Sequence, residues 1–338
     1  MLTRRQALQA GGCVGVTMFV ERPFGLAAQP ATSARVQYVE VVRSIMYTPA
    51  YVAIANGFFK DVGIDVALET GQGGDKTMAA LISGRAGIGL MGPESAIYVQ
   101  NSESPLKVKI FCGLTATDGY MLVGRQKIDK FDWKMLKGKE VLGRSSGSTP
   151  LLFLERAMRK NGLNPRQDVK FNNNLAVPAR PGAWISGQGD YGIFIEPEAS
   201  QLELSGKAYP LASVGKEVGN VDYTVFMATD TYIKQNPTII QNWTNAIFRG
   251  LKWVAAASIA DIVKVQQQFF PGLDPKILAA ATERYRNLKI WKETPLVEEK
   301  PIEIWQDMMI DAGLLETSKR VKYRDVVVTD FANKAKAS

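Results

Sequence analysis

Short apolar runs alternate with longer amphipathic segments from about residue 35 onward, and this alternation predicts an α/β fold. The first run, residues 36–41, alternates in polarity and is rich in β-branched side chains, which is typical of a strand. Strands that are separated by helices form largely parallel sheets. Strands are predicted at residues 36–41, 64–69, 88–91, 120–123, 139–142, 169–171, 191–195 and 223–228. Helices are predicted at residues 49–59, 75–83, 94–99, 150–160 and 179–186.

The pattern divides into two similar α/β units and a helical C-terminal segment. Beyond residue 236 the sequence is helical in pattern, with breaks at prolines, and the last six residues look frayed. A chain of 338 residues exceeds what one small core organises, so two lobes are expected. Cys112 lies in an apolar run, residues 109–113, and is predicted to be a buried strand residue.

The N-terminal residues predict export. Arg4 and Arg5 precede a mildly apolar stretch, and small residues near Ala28 suit cleavage by signal peptidase. The arginine pair with Leu8 favours the twin-arginine route, although Ala7 stands where that signal usually has phenylalanine. We therefore expect residues 1–28 to be a signal peptide and the mature protein to be periplasmic. The alternative is a short buried helix with two surface arginines.

Charge and composition exclude several function classes. Removal of residues 1–28 would leave about +6 of the formal charge of +8, and basic residues are interleaved with acids throughout. No basic face for nucleic acid is therefore expected. The sequence has no histidine, which removes Ser–His and Cys–His catalytic pairs and histidine-based metal sites. No cofactor, metal site or catalytic residue is predicted.

Several segments together resemble a known family. In their order and spacing they are similar to the periplasmic substrate-binding proteins of ABC importers that take sulfonates, nitrate, taurine and thiamine-pyrimidine precursors. The resemblance extends from about residue 35 to residue 320. It is carried by residues 56–66 (NGFFKDVGIDV), 79–89 (AALISGRAGIG), 131–133 (FDW), 136–139 (LKGK), 189–191 (GDY), 196–197 (EP) and 311–315 (DAGLL).

The resemblance implies an α/β, two-lobe periplasmic binding protein of type II, a Venus flytrap with a helical C-terminal segment. Residues 35–120 and 224–338 would form lobe one, and residues 121–223 would form lobe two. The ligand would lie between the lobes, which would close by a hinge motion. A monomer that delivers a small molecule to an ABC permease and ATPase at the membrane is expected. A sensor that docks on a membrane receptor is the alternative within the binding class.

The resemblance also includes an enzyme branch, pyrimidine synthases of the same fold. That branch relies on an active-site histidine and a cysteine cluster, and this sequence has neither. The sequence therefore predicts a binding protein and not an enzyme.

Loops at predicted helix starts supply the first candidate ligand contacts. Residues 145–150 (SSGSTP) offer hydroxyl groups and a glycine beside a helix N-terminus, which favours an anion or polar acceptor. Simple helix capping by Ser148 or Thr149 is the alternative. A second such start follows the glycines before Asp75, a predicted N-cap. The candidates are Ser145, Ser146, Ser148, Thr149, Gly73 and Gly74.

In the family, loops after the strands of the first lobe line the cleft. The resemblance therefore makes Tyr47, Thr48, Glu94 and Ser95 candidates. Glu94 has an alternative role as an acidic first-turn residue that complements the helix dipole.

The second lobe adds an acid and two aromatic side chains. Glu196 ends an apolar strand and could pair with an amine or aminopyrimidine edge, while Trp184 and Phe194 could stack on a ring or simply belong to the core. Glu94 and Glu196 favour a heteroaromatic ligand such as a thiamine-pyrimidine precursor. The hydroxyl-rich helix starts favour a sulfonate, nitrate or taurine-type anion instead, and the heteroaromatic reading is slightly preferred.

Overall fold

The computed structural model describes residues 33–337, so the predicted signal peptide at residues 1–28 lies outside the described residues. Two five-stranded sheets form the framework, with strand orders β2-β1-β3-β10-β4 and β7-β6-β8-β5-β9. The strands are β1 Ala34–Glu40, β2 Ile64–Thr70, β3 Ile88–Met91, β4 Val108–Gly113, β5 Met121–Gly124, β6 Glu140–Leu142, β7 Lys170–Asn172, β8 Tyr191–Phe194, β9 Tyr209–Ser213 and β10 Val225–Thr229.

Helices cover both sheets and account for most of the C-terminal part. The α-helices are α1 Thr48–Ala55, α2 Phe58–Asp61, α3 Gly74–Ile82, α4 Glu94–Gln100, α5 Thr149–Lys160, α6 Pro165–Asp168, α7 Arg180–Ile185, α8 Glu198–Leu204, α9 Val214–Val218, α10 Asp230–Gln235, α11 Pro237–Ala256, α12 Ile259–Gln266, α13 Pro275–Asn287, α14 Glu299–Asp311, α15 Tyr323–Val326 and α16 Asp330–Asn333. Short 3₁₀ turns lie at Ile45–Tyr47, Trp133–Leu136, Val177–Ala179 and Thr317–Lys319.

Both sheets are mixed, whereas the strand–helix alternation predicted largely parallel ones. β1 pairs in parallel with β2 and β3, but β10 runs antiparallel to β3 and β4. In the second sheet β6 pairs in parallel with β7 and β8, but β5 runs antiparallel to β8 and β9. The antiparallel strands β5 and β10 directly follow the segments that pass between the sheets, so the crossovers create the mixed pattern.

Local backbone chemistry explains where the helix boundaries differ from prediction. The helix expected at 49–59 is two helices, because Gly57 adopts a left-handed φ of 77° between α1 and α2. Gly73, and not Asp75, occupies the N-cap of α3, and Asp75 lies in the first turn where a carboxylate complements the helix dipole. Strand β9, whose residues are all partly exposed, was not predicted from the sequence.

Two chain segments connect the sheets side by side. The first joins β4 to β5, and the second leads from α9 to β10. They are held together by a backbone bond from Tyr223 N to Thr115 O (3.1 Å) and by a bond between the hydroxyls of Thr115 and Thr224 (2.7 Å). The two crossing segments are therefore bonded to each other at these threonines.

Buried aromatic side chains anchor helices to the first sheet and to one another. Trp243 of α11 packs against Tyr38 and Phe226 of the first sheet, and Trp305 of α14 packs against Phe153 of α5. Cys112 is fully buried in β4, as predicted. Among residues 33–337, none of the helices has the length and apolar character needed to cross a membrane.

Candidate ligand-binding site

A cavity of about 720 Å³ lies where strands of both sheets end. It is enclosed by the loops that follow β1, β2 and β3 of the first sheet and β6 and β7 of the second. Ligands of open α/β sheets bind at such carboxyl ends. Its lining residues are Val41, Gln72, Gly73, Gly74, Asp75, Lys76, Met78, Met91, Gly92, Glu94, Ser95, Tyr98, Val99, Arg144, Ser145, Ser146, Gly147, Ser148, Thr149, Pro150, Leu175, Ala176, Val177 and Pro178.

Hydrogen bonds cross the cavity between the loops of the two sheets. The hydroxyl of Thr149, at the start of α5, donates to Glu94 Oε1 over 2.6 Å. The hydroxyl of Tyr98, one turn further along α4 than Glu94, donates to the carbonyl of Gly147 over 3.1 Å. These two bonds hold the α4 side of the cavity against the loop before α5.

Gly92 leaves room for the first of these contacts. A side chain at this position would overlap both Glu94 Oε2 and Thr149 Oγ1. The absence of a Cβ therefore lets the carboxylate fold back over the backbone between β3 and α4.

The carboxylate of Glu94 is only partly satisfied by these contacts. Its Oε1 atom accepts from Thr149 and, over 3.3 Å, from the hydroxyl of Ser95. Its buried Oε2 atom has no hydrogen-bond partner among the described residues. Burial raises the pKa of Glu94 to about 7, and the bond from Thr149 opposes that rise. Buried oxygens without a partner are uncommon in folded proteins, so Oε2 indicates a place for a donor.

The loop before α5 uses its hydroxyls differently from simple capping. Ser148 occupies the N-cap position, but its hydroxyl donates to the carbonyl of Ser145 and makes no capping bond. Thr149 points to Glu94 instead. Ser145 and Ser146 are exposed at the cavity rim. Neither hydroxyl therefore caps α5, and the Leu151 and Leu152 amides donate to the Ser148 carbonyl instead.

Eight of the predicted contact residues line this cavity, and they come from both sheets. Their contact with a ligand stays a prediction. They are Gly73, Gly74, Glu94, Ser95, Ser145, Ser146, Ser148 and Thr149.

The structure places Tyr47 and Thr48 outside the lining, against expectation. Both are buried in and after the 3₁₀ turn that follows β1. The hydroxyl of Thr48 donates to Ile45 O (2.6 Å) and accepts from the Gln266 side chain of α12 (2.9 Å). Its hydrogen-bonding capacity is thus used inside the protein.

Glu196 also departs from its predicted role. Its side chain is fully buried, forms an ion pair with Arg284 of α13, and accepts from the Ser200 amide over 3.0 Å. Burial raises its pKa, and the charge of Arg284 opposes the rise. The carboxylate is therefore held by the protein's own groups and does not line the cavity.

The two aromatic candidates of the second lobe belong to its core. Trp184 and Phe194 are fully buried and pack edge to face, with ring centroids 5.7 Å apart. The Trp184 indole donates to Lys207 O (2.8 Å), and the Arg125 guanidinium lies 3.5 Å from its ring centroid. Neither ring lines the cavity, so the core alternative holds for both.

Sequence reasoning missed several lining residues. Tyr98 lies four residues after Glu94, so its position on the same helix face could have been recognised from the spacing. Arg144 directly precedes the predicted serine loop. The sequence of residues 175–178 gave no indication of a place in the cavity lining, because apolar residues and proline are typical of an ordinary loop.

Two sheets joined by a paired crossover, with a cavity at their facing strand ends, define the two-lobe fold of periplasmic binding proteins. Solved structures support this fold class. The alkanesulfonate-binding protein SsuA from Xanthomonas axonopodis, bound to MOPS, matches with a TM-score of 0.71 at 18% identity, covering 89% of this chain and 100% of that one. The periplasmic nitrate-binding protein NrtA from Synechocystis matches with a TM-score of 0.76 at 12% identity, covering 89% and 88%.

Sequence comparison gives the family. Residues 44–258 match the NMT1/THI5-like family. YtlA of Bacillus subtilis, whose name gives it as a candidate binding protein, is 37% identical over 324 residues, which are 95% of this chain and 96% of YtlA. The chain belongs to the NMT1/THI5-like family. The predicted resemblance and the predicted α/β two-lobe fold are confirmed.

Proposed function

We propose that this chain is an exported solute-binding protein that captures a small organic ligand in the 720 Å³ cavity and delivers it to an ABC permease and ATPase. The observation that carries the proposal is the cavity itself, bounded by both sheets and crossed by the bonds Thr149–Glu94 and Tyr98–Gly147. Contacts that join two lobes around a cavity couple ligand capture to lobe closure.

Export of the protein and its action in the periplasm complete this proposal. Arg4 and Arg5 would direct the precursor to the twin-arginine route, and the mature protein would act as a periplasmic monomer. The named structural neighbours, an alkanesulfonate-binding and a nitrate-binding protein, support a role in solute capture.

The ligand that best fits Glu94 carries an N–H donor. The buried Oε2 atom of Glu94 would accept a hydrogen bond from such a donor. Hydrogen bonds to a carboxylate are stronger than those between neutral groups. An aminopyrimidine edge, as in a thiamine-pyrimidine precursor, meets this requirement. Glu196 no longer supports that preference, because Arg284 is its partner. An anion at the α3 and α5 N-termini is the second candidate.

Catalysis by a pyrimidine-synthase mechanism fits this chain poorly. The sequence contains no histidine and only two cysteines, one of them in the N-terminal 28 residues and the other buried in β4. Burial raises the pKa of the Cys112 thiol, which leaves it unreactive. Binding without chemistry is therefore the function that we propose.

Native mass spectrometry of protein purified from its own periplasm tests the proposal directly. We expect a bound small molecule that the Glu94→Gln variant retains poorly and the Glu103→Gln variant retains fully, because Glu103 is exposed and does not line the cavity. Titration with 4-amino-5-hydroxymethyl-2-methylpyrimidine tests the ligand class. Protein that carries no small molecule and binds neither this pyrimidine nor any anion in a calorimetric screen would refute the proposed function.

A further inference from the structure

The C-terminal half of α14 lies between the two lobes. The helix packs against α4 on the side of the first sheet and against α5 on the side of the second. Trp305, Met309 and Ala312 are buried and recur at helical spacing, so they share one face of α14. The Trp305 ring on this face has its centroid 5.2 Å from that of Phe153 in α5. The last turns of α14 are therefore buried against the second lobe.

The end of α14 leaves two of its own carbonyl groups to other partners. Gly313 adopts a left-handed φ of 65° directly after the C-cap residue Ala312. This geometry lets the amide of Gly313 and the next amide along the chain bond back into the helix, each over 2.8 Å. Within residues 33–337, no backbone amide donates to the carbonyls of Asp311 or Ala312. Carbonyl groups at a helix end need such partners from elsewhere.

Arginines of the second lobe bind these two carbonyls. Arg159 of α5 donates to Asp311 O over 3.0 Å, and Arg166 of α6 donates to Ala312 O. Arg156 of α5 adds an ion pair of 3.4 Å with the Asp311 carboxylate. The C-terminal end of a helix dipole also favours cations. Three guanidinium groups from one lobe thus converge on the end of a helix that packs on the other.

This contact adjoins the cavity but does not line it. The lining residues within the described part of the chain include neither these arginines nor any residue of α14. Leu314, which follows the helix, lies beside the cavity-lining loop, since a Cβ at Gly147 would come within 3.4 Å of its Cδ1 atom. The contact between α14 and the arginines therefore joins the lobes near the rim of the cavity without using a group that faces its interior.

We propose that the end of α14 is a latch, which Arg159 and Arg166 hold when the lobes are together and release when they separate. The latch uses no atom of a ligand, so it stabilises the closed arrangement whether or not the cavity is occupied. Any ligand that requires the closed arrangement gains apparent affinity when that arrangement is already populated. The strength of binding is then set partly outside the cavity.

Spin labels on opposite sides of the cavity measure the separation of the lobes. Ala79 in α3 and Ala179 in the turn before α7 are exposed, and each follows a lining residue without lining the cavity itself. Ala79→Cys and Ala179→Cys would carry the labels in a Cys13→Ser background, and Cys112 is fully buried. Double electron–electron resonance on exhaustively dialysed protein gives the distances between the labels.

The double variant Arg156→Gln/Arg166→Gln weakens the latch and keeps Arg159, whose guanidinium also pairs with Glu155 within α5. Protein with its native arginines should show mainly the short distance of the closed lobes. The double variant should raise the ratio of long to short distances by about tenfold or more, the effect expected from losing a guanidinium bond and a weaker ion pair.

The double variant Arg85→Gln/Arg249→Gln is the control for the lost charge. It breaks two ion pairs, with Glu69 of β2 and Asp61 of α2, and both partners of each pair lie on the first-sheet side. Since neither pair joins the lobes, we expect the ratio of long to short distances to change by less than about twofold.

A second pair of variants perturbs the latch from the side of α14. Gly313 and Gly162 each follow a helix with a left-handed φ, of 65° and 76°, so alanine strains both backbones in the same way. A Cβ at Gly313 would lie 3.0 Å from the Arg166 guanidinium, whereas a Cβ at Gly162 would meet no described atom within 4 Å. Only Gly313→Ala should therefore increase the long-distance population.

Identical distance distributions with the native arginines and in Arg156→Gln/Arg166→Gln would overturn the inference and make α14 a fixed brace. Mainly long distances in protein with its native arginines would overturn it as well, and so would equal lobe separation in Gly313→Ala and Gly162→Ala. These outcomes do not depend on which ligand the cavity takes, so they leave the proposed function intact.

Discussion

The hydroxyl of Thr149 donates a hydrogen bond of 2.6 Å to Glu94 Oε1 and so links a helix of the second sheet to a helix of the first. The two residues are 55 positions apart in the sequence. The bond fixes one oxygen of the carboxylate, and the buried Oε2 atom has no partner within residues 33–337. Glu94 thus joins the two lobes and, under the proposed function, would also bind the ligand, so both properties should respond to changes around it.

Gly92 should be intolerant of even a small side chain. In Gly92→Ala the methyl group would overlap Glu94 Oε2 and Thr149 Oγ1, so the carboxylate must move and the bond to Thr149 should break. We expect a loss of about 1–3 kcal/mol in the free energy of unfolding and weaker binding of the co-purifying ligand. Urea denaturation and calorimetry measure the two effects.

Gly182→Ala is the matched control for this substitution. Gly182 lies within α7, and a Cβ there would meet no atom of the described part of the chain within 4 Å. Alanine in a helix should leave stability unchanged or raise it by up to about 1 kcal/mol. Equal behaviour of the two variants would contradict the role given to Gly92.

Glu94 should make the protein less stable as the pH rises toward neutrality. Burial raises its pKa from an ordinary 4.5 to about 7 in the folded state. Between these values the folded state binds a proton that the unfolded chain has lost, so the free energy of unfolding falls with increasing pH, by up to about 3 kcal/mol.

The Glu94→Gln variant isolates this effect. Glutamine does not ionise, so stability should fall less between pH 5 and pH 8 than in the wild-type protein. Glu40 and Asp118, whose pKa values burial also raises to about 7, are present in both proteins and cancel in the comparison. Parallel stability curves, measured by urea denaturation across this range, would show that Glu94 ionises normally.

Glu196 should contribute to stability and not to ligand affinity. Glu196→Ala leaves Arg284, whose side chain is 19% exposed, without its buried partner, and we expect a loss of about 3–5 kcal/mol. Glu203 pairs with the same arginine but is 39% exposed, so Glu203→Ala should cost about 0–1 kcal/mol. Chemical denaturation of the two variants measures these losses in the free energy of unfolding. A stable Glu196→Ala protein with reduced affinity would return Glu196 to the ligand site.

Export should depend on the N-terminal arginine pair. Replacing Arg4 and Arg5 together with lysine keeps the charge but removes the twin-arginine signal, so we expect the precursor to accumulate in the cytoplasm. Fractionation followed by immunoblotting measures the distribution. Normal periplasmic levels of this variant would indicate the general secretory route, and Arg22→Lys provides the control.

Local pattern was sufficient for most of the framework. The strand at 88–91 and the helix after Pro150 lie where apolar periodicity and a proline start placed them, because these signals act over a few residues. The split at Gly57 and the antiparallel course of β10 were missed. The first depends on one backbone torsion angle, and the second on which strand the chain joins after a crossover.

The candidate site shows more clearly that local sequence does not determine which residues come into contact. Glu94 and Glu196 each follow a short apolar strand, and the sequence alone predicted the same ligand-binding role for both carboxylates. Tertiary packing distinguished them: α13 brings Arg284 onto Glu196, whereas Thr149 covers only one oxygen of Glu94. The sequence by itself determined the alternating elements, the hydroxyl-rich loop and the absence of histidine. Only the tertiary structure decided which carboxylate keeps a free oxygen at the cavity, because partners and burial come from residues 55 and 88 positions away.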